Sequence, residues 1–262
     1  MKGEQSSFLL HNGGLWLPTH KKSLKPTSRT ARHGLLTRAA HAETQEVRVC
    51  TNRTCRRQGS MQTLQVLTDL SPPDVSVKSC GCLGRCGAGP NVALLPQGII
   101  LGHCGTAAQA AQIICGYADQ VDANAIQCSL EALALRKRAQ KEIELENFSE
   151  AEQFLSQAID LKPFGGLHII YKYRAIARLA TGNHVGALED ARAASRLAPQ
   201  YIEAYMSEGD VFMAMGRCDE AESSYSRCLK IDPSLRRSKS FKTRIAKLEE
   251  KLVAANELTN QQ

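Results

Sequence analysis

Three fourteen-residue stretches, EAEQFLSQAIDLKP at 150–163, GALEDARAASRLAP at 186–199 and EAESSYSRCLKIDP at 220–233, align without a gap. Ala151, Ala187 and Ala221 share one column, Ala158, Ala194 and Cys228 a second, and Pro163, Pro199 and Pro233 a third. The steps are 36 and 34 residues, the longer one carrying two extra residues near Gly165-Gly166. Small residues recur where paired antiparallel helices must approach closely, and each Pro falls just after the second helix and stops it.

Upstream of each stretch lies a first helix, with Tyr171 and Tyr205 at its bulky position and Ala139, Ala175 and Gly209 at its small one. The pattern over residues 132–233 resembles tetratricopeptide repeats. That resemblance implies a stack of helical hairpins with a concave docking face. Residues 238–257, with Ile245, Leu248 and Leu252 on one face among Lys and Glu, read as the polar-backed capping helix that such a stack needs. An all-α repeat domain over 131–257, followed by a tail at 258–262, is therefore expected.

The whole chain has 262 residues, room for roughly one or two domains. Hydrophobic residues are 43% and charged residues 23%, so most of it can bury a core, but at 5% aromatics that core must be aliphatic. The net charge of +7 is concentrated at one end. Residues 1–40 hold seven Lys and Arg against Glu4, leaving the remainder with 26 basic and 25 acidic residues. A global basic footprint is absent, so nucleic acid is not an expected partner. No apolar run is long enough for a membrane span, and the chain is expected to be at most peripheral to a membrane.

Residues 1–45 are rich in Ser, Thr, Lys and Arg and poor in acids, the composition of an organelle transit peptide; Leu36-Thr37-Arg38-Ala39-Ala40 ends in small residues as plastid cleavage sites do. The chloroplast stroma is the expected location, with the mitochondrion as the alternative. Clustered cysteines in that setting read first as metal or redox chemistry.

Residues 46–118 alternate in another way. Val47-Arg48-Val49 predicts a strand, Ser60–Leu70 a helix, Asp74–Lys78 a second strand, Asn91–Leu95 and Gly98–His103 a hairpin about Pro96-Gln97, and Thr106–Tyr117 a last helix. The order is βαβββα or βαββα, a small α/β unit, with 119–130 as the linker to the repeats.

Within this unit Cys50 and Cys55 form one close pair, Cys82 and Cys86 another. Thiols paired on two loops that meet supply the four ligands of a binuclear iron–sulfur cluster or of zinc. Gly81, Gly84, Gly87 and Gly89 let the second loop wrap tightly. The runs Cys50-Thr-Asn-Arg-Thr-Cys55 with Gly59-Ser60, and Gly81-Cys-Leu-Gly-Arg-Cys-Gly-Ala-Gly-Pro-Asn-Val92, resemble the thioredoxin-like [2Fe-2S] ferredoxin family over residues 46–117. The resemblance implies a thioredoxin-like fold and Cys50, Cys55, Cys82 and Cys86 as ligands of a [2Fe-2S] cluster. Cys80 departs from the family pattern as a fifth sulfur and is a candidate exchange ligand.

Two ferric ions, two sulfides and four thiolates sum to a charge of minus two, which Arg53, Arg56, Arg57 and Arg85 beside the ligands would balance. A zinc tetrathiolate carries the same charge, so charge does not choose the metal. Cys104, Cys115, Cys128, Cys218 and Cys228 read as small buried hydrophobes.

On the repeats, Arg136, Lys172, Ile176, Leu179, Met206 and Met213 are expected to form a partly apolar groove for a protein partner. Some tetratricopeptide domains grip the acidic C-terminus of heat-shock proteins with Lys, Asn and Arg. Arg136, Gln140, Tyr173, Glu203 and Ser207 stand at the corresponding positions here. Glu203 would repel a carboxylate, so a heat-shock protein C-terminus is disfavoured as partner.

The glycines at 81–89 lack the Gly-Lys-Ser/Thr of a phosphate loop, and no Ser-His-Asp arrangement is specified. Cys80-Gly81-Cys82 is a poor substitute for the Cys-x-x-Cys of a thiol–disulfide exchanger. Stand-alone catalysis is not expected. The sequence points to a [2Fe-2S] electron-transfer or redox-sensing protein with a docking module; the alternative is an assembly adaptor for a photosynthetic or respiratory complex with a structural metal centre.

Overall fold

The computed structural model describes residues 45–116 and 123–259. The transit peptide expected at 1–45 lies outside them but for Gln45, as do residues 119–122 of the expected linker and 260–262 of the tail.

The first unit begins with β1 (Gln45–Cys50), followed by α1 (Arg53–Arg57) and α2 (Ser60–Leu70), then β2 (Val75–Cys80), β3 (Val92–Leu95), β4 (Ile99–Leu101) and α3 (Ala107–Cys115). The strands form one sheet in the order β2-β1-β3-β4, β1 and β2 parallel and the other pairings antiparallel. Alternation decides its faces. Val47 and Val49 are fully buried and meet Leu67, Val75, Val92, Cys104, Ala110 and Ile114 beneath α2 and α3. On the opposite face Glu46 pairs with Lys78 across the strands. Thr106 caps α3, its hydroxyl accepting from the Gln109 amide while the Gln109 side chain returns the bond.

Three helical hairpins follow: α4 (Ala123–Glu144) with α5 (Phe148–Asp160), α6 (Leu167–Ala180) with α7 (His184–Leu197), and α8 (Ile202–Ala214) with α9 (Cys218–Ile231); α10 (Lys239–Thr259) closes the stack. The small-residue columns behave as the repeat pattern requires. Ala151, Ala158, Ala187, Ala194, Ala221 and Cys228 are all fully buried. Gly209 lies under the Tyr225 ring, and a methyl group there would overlap it. Tyr225 donates to Asp210 at 2.8 Å, and Arg244 of α10 grips the same carboxylate through Nε and Nη2, which fixes the cap to the third repeat. Asp190 performs the same service inside the stack, taking Arg174 through two bonds of 2.8 Å and Arg178 through one of 3.0 Å.

The expected linker is a correction. Residues 123–130 are helical, because Ile126, Leu130 and Leu133 continue the apolar stripe of α4 and pack on Leu70, Ala111 and Phe164. The α/β unit is thereby seated directly on the first repeat. The Gly165-Gly166 insertion makes the second contact: a methyl on Gly165 would collide with the Leu70 carbonyl oxygen and one on Gly166 with that of Asp69. Phe164 donates its amide to the Ser129 hydroxyl at 3.0 Å and lays its ring against both cores.

Candidate functional site

β1 and β2 end in register, with Cys50 opposite Cys80. The chain leaves β1 through Thr51, whose amide and hydroxyl both donate to the Cys80 carbonyl, at 3.0 and 3.2 Å. Asn52 caps α1, so one short helical turn carries Cys55 back underneath, where it is buried like Cys50. The second loop runs from β2 to a short 3-10 turn at Cys86–Ala88 and leaves Cys82 and Cys86 exposed.

The thiols come as two neighbouring pairs. The sulfurs of Cys82 and Cys86 lie 3.7 Å apart. That is the edge of a tetrahedron with metal–sulfur bonds of about 2.3 Å. The Cys55 and Cys82 thiols both lie near enough to Cys50 to lower its pKa, which places the first pair beside the second. Among the described residues no group of three or more His, Cys, Asp or Glu side chains is arranged to hold a metal ion. The fit to a cluster rests on the donor set alone, four thiols on two neighbouring loops.

The surroundings favour thiolate in places and oppose it in others. Burial pushes the Cys50 thiol up, but the Asn52 and Leu83 amides and the neighbouring thiols outweigh it and lower its pKa. Burial raises that of Cys55 despite donors on Asn91, and the adjacent Cys82 raises that of Cys86. The Gly84 amide donates to the Cys82 sulfur at 3.4 Å and the Asn91 side chain to that of Cys55 at 3.5 Å. Cys80 is half-buried; burial raises its pKa, with Cys50, Cys55 and Cys82 close enough to add to the effect.

Asn91 is a site residue that sequence reasoning missed. It is buried, and its Nδ2 also donates to the Arg85 carbonyl at 2.7 Å, tying the second loop to the first pair. A polar residue opening an apolar strand straight after Gly89-Pro90 was the available signal. Gly89 is required by close approach instead of by its φ, since a methyl there would meet Gln58 and the Cys55 sulfur.

The concave face divides the expected groove residues. Lys172, Ile176, Leu179 and Met206 line one concavity of about 300 Å³ together with Glu203 and Arg244. Met213 lines an adjoining one against α10. Arg136 is a correction: it is 4% exposed, turned toward Asp69 of α2, and belongs to the seam between the α/β unit and the repeats. It borders a separate concavity of about 640 Å³ with Lys137, Gln140, Lys141 and Tyr173.

The comparisons with known proteins fall on the repeats. The family described as Tetratricopeptide repeat matches residues 202–235. The Dictyostelium discoideum Protein STIP1 homolog is 34% identical over 110 residues, which is 38% of this chain and 19% of that protein. Mouse serine/threonine-protein phosphatase 5 is 33% identical over 100 residues, 38% of this chain and 20% of its own. The chain thus spans about a fifth of the length of these two relatives. Among solved structures, the first TPR of Spaghetti (RPAP3) bound to HSP90 peptide SRMEEVD has a TM-score of 0.44 at 23% identity, over 52% of this chain and 99% of that one. The second TPR domain of human RPAP3 in complex with HSP70 peptide SGPTIEEVD has a TM-score of 0.41 at 20% identity, over 47% and 98%.

The chain therefore carries a tetratricopeptide protein-docking module. The relationship of these repeats to the STIP1 homolog overturns the expectation that a heat-shock protein C-terminus is disfavoured as partner. The expectation weighed Glu203 and left out Lys137 and Lys141, which bring cations to the face one helical turn apart.

Proposed function

We propose that this is a docking protein with a redox centre: a thioredoxin-like α/β unit that holds a [2Fe-2S] cluster on Cys50, Cys55, Cys82 and Cys86, seated on repeats that receive a partner's peptide. The observation that carries the reading is the 3.7 Å between the Cys82 and Cys86 sulfurs, the edge of a metal tetrahedron, with Cys50 close enough to Cys55 and Cys82 for both thiols to lower its pKa. The strand order and the two cysteine loops at the ends of β1 and β2 support the thioredoxin-like assignment. Bound there, a cluster of this type supplies reversible one-electron transfer. The chain's own part is to present sulfurs, to aim the amides of Gly84, Asn52 and Leu83 and the side chain of Asn91 at them, and to shield one pair from water. Import into the chloroplast stroma belongs to the same proposal.

The full chain purified without oxygen is expected to be red-brown, with iron and acid-labile sulfide in equal amounts, and to lose its visible absorbance in Cys82→Ser or Cys86→Ser. A colourless protein holding one zinc overturns the cluster.

For the repeats we propose an acidic C-terminal peptide of the heat-shock type, seated across Lys137, Lys141 and Lys172. Anisotropy of labelled SRMEEVD should rise on titration with the chain and fall back in Lys141→Glu; no binding by either protein rejects this occupant.

A second reading has an observation of its own. The α/β core lacks any aromatic residue of the unit itself and borrows Phe164 from the repeats, so a metal centre would also serve to staple it. Reversible reduction separates the readings: a redox-silent centre whose removal only melts the unit favours the adaptor.

A further inference from the structure

α1 turns Cys55 inward and Arg53, Arg56 and Arg57 outward. Spaced i, i+3 and i+4, the three arginines share one helical face, and all are exposed. Arg85, on the loop between Cys82 and Cys86, is exposed as well; its Nη1 donates to the Ile100 carbonyl at 3.1 Å, which fixes where the cation stands.

These four have no carboxylate partner among the described residues. Of the eleven arginines in residues 123–259, seven, Arg136, Arg138, Arg174, Arg178, Arg192, Arg217 and Arg244, each reach one. Asp and Glu are absent from residues 47–68 and from 75–116. Of the three acids the unit does hold, Glu46 is committed to Arg48 and Lys78, Asp69 to Arg136 and Lys137, and Asp74 precedes β2 at the end away from Cys80. The cysteine end is thus a pole of one sign, with exposed thiols at its centre.

We propose that Arg53, Arg56, Arg57 and Arg85 form a docking surface for the acidic face of a second protein, which would cover the exposed Cys82 and Cys86. Four unpaired like charges repel one another and are relieved by an opposite surface, which also steers encounter. The sulfurs do not need all four, since amide donors already reach them. A nucleic-acid surface is disfavoured because residues 45–116 contain no Phe, Tyr or Trp on which a base could stack. The pole is also open. The repeats meet the C-terminal end of α2, whereas the cysteines cluster beyond its N-terminal end, and the eleven residues between span about 16 Å. The inference stands whether or not metal occupies the cysteines.

The test uses the full chain and a labelled poly-L-glutamate peptide as stand-in for the acidic face, with poly-uridylate as competitor. Replacing the four arginines together by Gln is expected to weaken peptide binding about tenfold, while Lys137→Gln with Lys141→Gln on the concave face changes it little. Hydrogen exchange on the unaltered chain locates the peptide without any variant: slowing at 53–57 and 84–86 is expected. The proposal is overturned by slowing confined to α4, α6 and α8, by equal binding to a folded four-arginine variant, by loss in the lysine variant instead, or by tighter binding of poly-uridylate than of the peptide.

Discussion

Arg136 of the first repeat and Asp69 of the α/β unit meet as a buried ion pair, Nη2 lying 2.8 Å from Oδ1. The pair is imperfect: Nη2 and Asp69 Oδ2 make no hydrogen bond, while Lys137 stands 3.6 Å from Oδ2 and Gln65 donates to Oδ1. Removing one partner of such a pair leaves an uncompensated charge. Asp69→Ala is therefore expected to cost about 3 kcal/mol and to split thermal unfolding into separate steps for the two units. A single unshifted transition by calorimetry would show that the seam does not hold them together.

Gly165 tests the same seam by shape. A methyl group there runs into the Leu70 carbonyl, so Gly165→Ala should force the units apart and speed hydrogen exchange at the C-terminal end of α2. Gly182→Ala, which meets no neighbour but sits at φ +81°, separates local backbone strain from the collision.

Within the repeats Asp190 is 3% exposed between Arg174 and Arg178. Asp190→Ala abandons two cations and is expected to destabilise the stack by roughly 3–5 kcal/mol, read as a lower urea midpoint. Arg192→Ala is the comparison: its bond to Glu208 is long and half-exposed, and about 1 kcal/mol or less should be lost.

His168, 4.9 Å edge-on from Tyr201, has its pKa pulled down to about 4 by burial and by Arg136 nearby. The folded chain then binds fewer protons than the unfolded one between pH 6.5 and 4. Its contribution is complete above pH 6.5 and is lost as pH falls through that window, on the order of 3 kcal/mol in all. Melting temperatures of His168→Gln should show a shallower acid slope over that range than those of the unaltered chain.

Cys228 is fully buried, and burial pushes its thiol up to about 12. In the reduced, metal-free chain, alkylation at neutral pH should reach exposed Cys82 and Cys86 at once and Cys228 only on unfolding. Early labelling of Cys228 by mass spectrometry would contradict its placement.

The repeats were legible because their packing is written at fixed spacing: Ala151, Ala187 and Ala221 must be small wherever helices cross. Strand β1 was legible from Val47 and Val49 alternating inward, and β3 from its run of apolar residues. The five-residue α1 was not, since it has no apolar period and only Cys55 turned inward. Arg136 was misplaced for a different reason. Its position in the repeat points toward the concave face, and only the arrival of Asp69 from a distant segment redirects it. The start of α4 was hidden the same way, as Ile126 and Leu130 look like linker residues until Leu70 and Phe164 are beside them. The sulfur pairs were visible as spacing, whereas Asn91, which bridges them, becomes meaningful only through what it touches.

α2 is held at both tips, by the thiol loops at one and by Leu70 and Asp69 against glycine backbone at the other. At that second tip backbone meets backbone with no side chain between, so any displacement of the first helical hairpin is felt first at Asp69 and Leu70.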